Sequence, residues 1–266
     1  MWALQSTRLR LTILVTAAIS IISSCGIETY PYLYPPVIDG FPFEADTSVD
    51  FQNDGNNVPE YFEGYEFYYK LYSAAQAQAK DGSLADQEGE TIEGTSGTTE
   101  VIALGYSRLF LYNLDENDDQ LDEADNSTRP LIAPSQAINA LIVPNEAINA
   151  LDEPITIDFT DIRNSVYPVL TYLRDNDNPD TTEVIEVSDK FGRYVTPLGQ
   201  EKIFKGFAPE DFVDGDSDLP EGLSLPSEPI LYIALIVLSY GNDNTNLDFN
   251  LYSSPTYLGA LRISTF

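Results

Sequence analysis

Two segments of the chain carry hydrophobic patterns that are typical of β-strands. Between Tyr61 and Tyr72 the side chains alternate between two faces, and aromatic residues are enriched on both. One face holds Tyr65, Phe67, Tyr69 and Leu71, and the other holds Glu66, Tyr68, Lys70 and Tyr72. A period of two with this composition predicts a half-buried strand. The second segment, Ile230 to Tyr240, is apolar on both faces and predicts a central core strand, since it is too short to cross a bilayer.

Weaker patterns predict further strands, separated by residues that favour turns. These segments are Ser48 to Phe51, Glu100 to Tyr112 with Arg108 in the middle, Ile155 to Phe159, Arg193 to Thr196, and Tyr257 to Ile263. The best helical candidate is Ser73 to Lys80, which is rich in Ala and Gln and ends at Asp81 and Gly82. Many short strands without a long amphipathic helix favour an all-β sandwich.

The first 25 residues resemble the export signal of a bacterial lipoprotein. Arg8 and Arg10 precede an apolar stretch from Leu11 to Ile22, which is too short for a membrane span. The residues Ile-Ser-Ser-Cys-Gly at 22–26 are similar to the lipobox, in which the signal is cut before the cysteine. The resemblance implies that residues 1–24 are removed and that Cys25 is acylated. An ordinary signal peptide with a chance cysteine and an uncleaved anchor are the alternatives.

Residues 25–36 are expected to form a tether rich in Tyr and Pro. Tyr30, Tyr32 and Tyr34 alternate with Pro31, Leu33 and Pro35, and proline favours an extended backbone around it. The segment is thus predicted to be a semi-rigid spacer or a first edge strand. The tyrosines are expected to pack against the body of the protein, and an aromatic ligand site is the alternative.

Three stretches of the body resemble a fibronectin type III-like sandwich. The stretches at 64–72, 232–241 and 253–263 look like its strands C, F and G, and together with the lipobox and the Gly-Asp-Ser-Asp turn they are similar to a group of spirochaetal lipoproteins of unassigned function. The core tryptophan common in such domains is absent from the body, and Pro226 stands where the usual tyrosine corner has Leu. The resemblance implies one enlarged fibronectin type III/immunoglobulin-like sandwich over residues 37–266, with two domains as the alternative.

Two long insertions are expected at the surface of this all-β body, at about residues 73–99 and 113–152. Residues 73–99 are polar, and residues 113–128 carry seven carboxylates and no cation, a density that resists compaction. The ten-residue stretches 131–140 and 141–150 are near copies of each other, and Pro134 and Pro144 interrupt any continuous helix. A tandem insertion with two short helical turns is the favoured interpretation, and a repeated binding element is the alternative.

Composition excludes several classes of chemistry. The chain has no His and one Cys, which excludes His-dependent nucleophiles, thiolate metal cages and intrachain disulfides. Its 13 Lys and Arg face 43 Asp and Glu, for a net charge of -30, which argues against a nucleic-acid partner. The same charge repels anionic lipid, so the acyl group on Cys25 is expected to provide the contact with the bilayer.

One acidic turn has the alternating carboxylates that calcium prefers. Asp214, Asp216 and Asp218 are spaced so that their oxygens could converge on a cation. An EF-hand would need Gly at loop position six and Glu at position twelve, where this chain has Leu219 and Leu225. These three residues are the candidate calcium ligands, and a solvated acidic turn is the alternative.

The sequence therefore predicts an exported, lipid-anchored protein of the cell envelope, with the outer membrane favoured on its periplasmic or outer face. Its body is expected to be a non-enzymatic binding or structural module with a protein or glycan ligand and no cofactor apart from the calcium candidate. No catalytic residue is nominated. A carbohydrate-active enzyme with paired carboxylates is the competing hypothesis, because that chemistry needs no His.

Overall fold

The two strongest predicted strands pair with each other along most of their length. A computed structural model of the chain contains β2 (Phe62–Ser73) and β10 (Ile230–Asp243), which run antiparallel from the Leu231 and Ser73 pair to the Gly241 and Phe62 pair. The structure describes residues 31–38, 47–57, 60–78, 84–92, 97–112, 154–159, 169–175, 182–187, 190–197, 199, 203–223, 225, 230–243 and 249–264.

Short strands and helices surround this pair. The other strands are β1 (Ser48–Phe51), β3 (Ser107–Arg108), β4 (Phe110–Tyr112), β5 (Ile155–Asp158), β6 (Val169–Asp175), β7 (Thr182–Val187), β8 (Lys190–Val195), β9 (Ile203–Lys205), β11 (Phe249–Tyr252) and β12 (Thr256–Ser264). The helices are α1 (Ala74–Gln78), α2 (Leu84–Ile92) and α3 (Thr98–Ala103), and Pro209–Asp211 forms a single 3-10 turn. The protein is thus mostly β, with short helices.

All of the described strand pairs are antiparallel, and they form three sheets. The central sheet has β10 in its middle, with β2 on one edge and both β12 and β11 on the other, and β3 extends it beyond β2. A second sheet has the order β1-β5-β6-β7, and a third has the order β4-β8-β9. Consequently β2 and β10 place residues that are far apart in sequence next to each other.

The larger hydrophobic core contains one face of the central sheet together with residues from the second sheet. It includes Phe67, Tyr69 and Leu235 from the central sheet and Phe51 and Ile157 from β1 and β5. The ring of Phe51 meets the rings of Tyr65 and Phe67 edge to face, at centroid distances of 5.1 and 5.6 Å. Burial of these alternating side chains is the main stabilisation expected for such a strand.

The opposite face of the central sheet is covered by the three short helices. Tyr68, Ile236 and Tyr257 lie in a second core with Ile92 of α2 and Val101 of α3. The prediction that β2 is half-buried is wrong, because the face that reads as polar is also enclosed. Its residues Glu66, Tyr68 and Tyr72 are 2%, 0% and 6% exposed.

Most of the predicted strands are confirmed, and one is partly wrong. Strands β1, β2, β5, β8, β10 and β12 overlap the predicted segments, and α1 lies within the predicted helix. The predicted strand from Glu100 to Tyr112 instead begins inside α3, and only its later part forms β3 and β4. Strands β6, β7, β9 and β11 and the helix α2 were not predicted, since their sequences are short or mixed in polarity.

Of the two expected insertions, only the first falls partly within the described residues. It contains α1, α2 and the start of α3, and Ala77, Glu88 and Ile92 in it are buried. The expectation of a purely surface segment is therefore wrong for these helices. The acidic run 113–128 and the duplicated stretches 131–150 lie outside the described residues.

Glycine is needed where β2 begins. The carbonyl oxygen of Tyr61 occupies the space that a Cβ on Gly241 would need, and the same oxygen accepts a hydrogen bond from the Asn242 N–H at 3.0 Å. The β10 register shifts between Tyr240 and Gly241 at this point. Any side chain at position 241 would displace the start of β2.

Candidate functional site

The segment that follows the predicted lipidation site is hydrogen-bonded to the body of the protein. The amide of Asn57 holds both main-chain groups of Tyr34: its Oδ1 accepts from the Tyr34 N–H at 2.7 Å, and its Nδ2 donates to the Tyr34 carbonyl at 3.0 Å. Ser239 of β10 donates to the same carbonyl at 2.8 Å. These bonds bind the segment to the central sheet, beside the end of β10.

Further hydrogen bonds hold the segment against the body as far as Val37. The Thr256 hydroxyl donates to the Pro36 carbonyl at 2.8 Å, and Val37 and Gln52 exchange two main-chain bonds of 2.8 Å. The described part of the predicted tether, residues 31–36, forms no strand, and one isolated bridge follows it at Val37. Together with the bonds at Tyr34, these contacts define the docked segment, residues 32–37.

The side chains of the docked segment are arranged differently from the prediction. Leu33 is 1% exposed, whereas Tyr32 and Tyr34 are 56% and 40% exposed and contact each other edge to face at 5.1 Å. The expectation that the tyrosines pack against the body is wrong for these two residues, because the alternating backbone turns Leu33 inward instead. Tyr30 and Cys25 lie outside the described residues.

The acidic turn is bound to two buried cations. The Lys205 Nζ donates to both carboxylate oxygens of Asp216 at 2.9 Å, and the Arg193 Nη2 lies 3.7 Å from Asp216 Oδ2. Arg193 Nη1 donates to both oxygens of Asp218, at 3.0 and 2.9 Å, and the Tyr69 hydroxyl donates to Asp218 Oδ2 at 2.6 Å. We refer to Arg193, Lys205, Asp216, Asp218 and Tyr69 as the Arg193 network.

Arg193 is held by the main chain and by aromatic rings as well as by carboxylates. Its Nε donates to the Gly206 carbonyl at 2.9 Å, and its Nη2 donates to the Asp211 carbonyl at 2.7 Å. The guanidinium lies 4.1 Å from the ring centroid of Phe212 and 5.7 Å from that of Phe207. A planar cation with several fixed donors suits this role, which Lys could not fill.

The three calcium candidates are therefore engaged by protein donors. Asp216 and Asp218 face Lys205 and Arg193, and Asp214 Oδ1 accepts the Leu225 N–H at 2.9 Å. Within the described ranges, no cluster of three or more carboxylate or Cys residues is placed to hold a metal ion. Calcium binding stays a prediction, and a calcium ion would have to compete with Lys205 and Arg193 for the same oxygens.

A second ionic cluster lies on the opposite face of β2. Arg108 Nη2 lies 3.1 Å from both oxygens of Glu66, the Tyr68 hydroxyl donates to Glu66 Oε2 at 2.7 Å, and the Tyr252 hydroxyl approaches Glu66 Oε1 at 3.4 Å. These four residues form the Glu66 cluster. Burial raises the pKa of the Glu66 carboxyl above its ordinary value, and the Arg108 charge opposes this shift without cancelling it.

Two pockets adjoin these clusters. One of about 310 Å³ is lined by Tyr252 and by the first residues of α3, including Glu100. The other, of about 260 Å³, lies beside the acidic turn and is lined by Asp218. Among the described residues, each lining contains one carboxylate, whereas hydrolysis of a glycosidic bond by paired carboxylates requires two that face each other.

The sequence pattern does not predict the partners of these carboxylates. Arg108 and Arg193 lie within predicted strands, and such positions are a weak signal in a chain that has only 13 Lys and Arg residues. Lys205 lies in the short strand β9, for which no prediction was made. With 43 Asp and Glu residues in the chain, no cation can be assigned to its carboxylate from the sequence alone.

Within the part of the chain that the structure describes, no helix has the length and apolar character needed to cross a bilayer. Comparisons with protein-family models, with curated proteins and with solved structures found no match to this chain.

Proposed function

We propose that this protein is an exported lipoprotein of the spirochaetal type, anchored in the membrane through acylated Cys25, with a body that acts as a non-enzymatic binding or structural module of the cell envelope. The observation that carries the proposal is the docked segment. It follows the lipobox by only a few residues and is bonded to the body through Asn57, Ser239 and Thr256. A chain bound in this way suits a protein that is tethered at that end.

The docking limits how far the body can extend from the anchor. Only residues 26–31 separate Cys25 from Tyr32, and a chain of this length spans at most about 25 Å. The net charge of -30 provides no attraction to anionic lipid, so acyl chains supply the binding to the membrane. This short linker then holds the body near the membrane surface, and the outer membrane is the favoured location.

We further propose that the body is an enlarged fibronectin type III/immunoglobulin-like sandwich. Strands β2, β10 and β12 are neighbours in that order, as strands C, F and G are in such a domain. The larger core also joins this sheet to β1 and β5 of the second sheet. A fold of this type hosts many functions and does not by itself identify a ligand.

Metabolic labelling with a fatty acid tests the anchor. Wild-type protein should incorporate label and partition into detergent, whereas Cys25→Ala should do neither, because its only thiol is gone. Ser24→Ala is the matched control, since a small residue still precedes the cysteine. Label in the Cys25→Ala protein, or an unmodified thiol with the leader still attached in native material, would contradict the proposal.

Limited proteolysis with chymotrypsin tests the docked segment. Asn57→Ala removes three hydrogen bonds, including both to Tyr34, and should increase the rate of cleavage after Tyr32 or Tyr34 several-fold. The neighbouring Asn56→Ala is the control, because Asn56 is exposed and its side chain bonds to Asp54 alone among the described residues. Equal cleavage rates in the two variants would show that the docking does not restrain the segment.

A further inference from the structure

The smaller pocket lies at an edge of β2 where the ladder of the central sheet is incomplete. Strand β3 pairs only with Tyr68 and Tyr69, so the following residues of β2 have no strand opposite them on this edge among the described residues. The Leu109 N–H donates to the Phe67 carbonyl on this edge, at 2.8 Å. Because alternate residues of an antiparallel strand point the same way, the main-chain N–H and C=O of Leu71 face the pocket.

Three polar side chains line the pocket with hydrogen-bonding capacity that the described residues do not use. Gln76 Oε1 accepts from the Ser73 N–H at 3.1 Å, which positions the side chain and leaves its Nε2 available. Ser217 Oγ accepts from the Thr196 N–H at 3.0 Å, which leaves its own hydroxyl proton to donate. Ser107 is exposed at the end of β3. The pocket thus offers a set of donors, two of which are already held in place.

The charged groups of the pocket are compensated within the protein. The Lys70 Nζ donates to the Leu104 carbonyl at 2.9 Å and lies 5.3 Å from the ring centroid of Tyr72. The Asp218 carboxylate is bound by Arg193 and Tyr69, and its side chain is only 6% exposed. A ligand with a net charge would find no uncompensated partner among the described lining residues, so the pocket favours a neutral ligand.

The remaining lining is apolar or aromatic. Leu219 and Pro220 of the acidic turn line the pocket together with Tyr69 and Tyr72 of β2. At about 260 Å³ the pocket is slightly smaller than the sites that hold drug-sized molecules. It therefore suits one small ring that has polar groups on its rim and C–H groups on its faces.

We propose that this pocket binds a neutral, hydroxyl-rich ligand of monosaccharide size, with hydrogen bonds from Gln76, Ser107 and Ser217 and from the free edge of β2. The inference rests on the proposed function, because it names the ligand class of the binding module. It is separate from the anchor, since none of the residues that line the pocket belongs to the docked segment.

Saturation-transfer NMR on the full chain in a sugar-free detergent tests the proposal. The probes are glucose, galactose and N-acetylglucosamine at about 10 mM, because a ligand of this size is expected to have a Kd of about 1 mM. At least one of them should receive saturation, and glucuronate and glucosamine should receive much less. Transfer to none of the neutral sugars, or stronger transfer to a charged one, would overturn the proposal.

Two variants tie the signal to the pocket. Ser107→Tyr changes an exposed residue and fills the pocket, so it should abolish the transfer, whereas Ser254→Tyr changes an exposed serine that is not part of the lining and should leave it intact. Ser217→Ala should weaken binding by about twofold to tenfold, as expected for one lost hydrogen bond. Undiminished transfer in the Ser107→Tyr protein would place the sugar elsewhere. Failure here together with normal labelling of Cys25 would refute the pocket and leave the lipid anchor standing.

Discussion

The Arg193 network and the Glu66 cluster lie on opposite faces of β2. Each compensates the charge of buried carboxylates, but with different partners. Neighbouring tyrosines of one strand serve both, since Tyr69 bonds to Asp218 and Tyr68 bonds to Glu66. The network has two cations and two carboxylates, and the side chains of Arg193 and Asp216 are both fully buried. In the cluster a single cation faces a single carboxylate, and the Arg108 side chain is 18% exposed.

The Arg193 network therefore connects separate elements of the fold, whereas the Glu66 carboxyl can take up a proton. The network joins β2, β8, β9 and the acidic turn, and removing one of its charged side chains leaves a buried charge with too little compensation. In the cluster, the raised pKa of Glu66 allows the carboxyl to become neutral when its partner is lost. Loss of a charged partner is therefore expected to lower the stability strongly in the Arg193 network and less in the Glu66 cluster.

The largest effect is expected for Arg193→Met. The substitution leaves Asp218 without a cation and weakens the balance at Asp216, so the free energy of unfolding should fall by about 3 to 5 kcal/mol. Urea unfolding followed by tyrosine fluorescence measures this loss. Arg262→Met on β12 is the matched control, because Arg262 is exposed and its loss should cost less than about 0.5 kcal/mol. Similar losses of unfolding free energy in both variants would show that the Arg193 network does not stabilise the fold.

A smaller and pH-dependent loss is expected for Arg108→Met. At pH 7 the buried Glu66 loses its counter-ion, and the free energy of unfolding should fall by about 2 kcal/mol. As the pH is lowered the loss should shrink, because Glu66 becomes protonated and no longer needs the cation. Unfolding in urea between pH 5 and pH 8 measures this trend. A loss that is constant across this range would contradict the proton uptake assigned to Glu66.

Removing single hydroxyls compares the two faces with the least disturbance. Tyr69→Phe deletes a bond of 2.6 Å to Asp218, and Tyr68→Phe deletes one of 2.7 Å to Glu66. Bonds to charged groups contribute about 1.5 to 3 kcal/mol, so Tyr69→Phe should lie in that range. Tyr68→Phe should cost less, because Glu66 can take a proton instead. Thermal unfolding of the two variants compares their losses of stability. A larger loss for Tyr68→Phe than for Tyr69→Phe would contradict the proposed difference between the two faces.

The smallest effect is expected for Glu66→Gln, and its sign depends on pH. The folded pKa of Glu66 is raised above the ordinary 4.5, so its stabilising contribution is complete below about pH 4.5 and is lost as the pH rises through the folded value. The Gln variant lacks this dependence and should gain stability relative to wild type as the pH rises, by less than about 1 kcal/mol. Melting temperatures of both proteins at matched pH values test this, and a relative loss with rising pH would contradict it.

Local pattern was enough to predict the strands that build the core. The alternation in β2 and the apolar run in β10 are properties of neighbouring residues, and both appear where the pattern put them. The same alternation predicted a polar face on β2, and there it was wrong. Tyrosine is amphipathic, and whether its ring is covered depends on α2 and α3, which come from a stretch with little hydrophobic periodicity.

The candidate site was predictable only in part for the same reason. The acidic turn stands out by its spacing, from which Asp214, Asp216 and Asp218 are predicted as calcium ligands, and that stays a prediction. Their partners were not identified, because Arg193 lies 25 residues from Asp218 and Arg108 lies 42 residues from Glu66. Local periodicity carries no information about which distant charge will meet a carboxylate.

The amino-acid sequence by itself determined that this protein is acidic, lacks His and has a single Cys in a lipobox-like motif, and it determined where the main strands lie. These are properties of composition and of adjacent positions. Tertiary structure alone decided that β2 is buried on both faces, that Leu33 rather than the tyrosines turns inward, and that the acidic turn binds Arg193 and Lys205. Each of these depends on elements brought together by folding, since burial and charge pairing are properties of the whole packed chain.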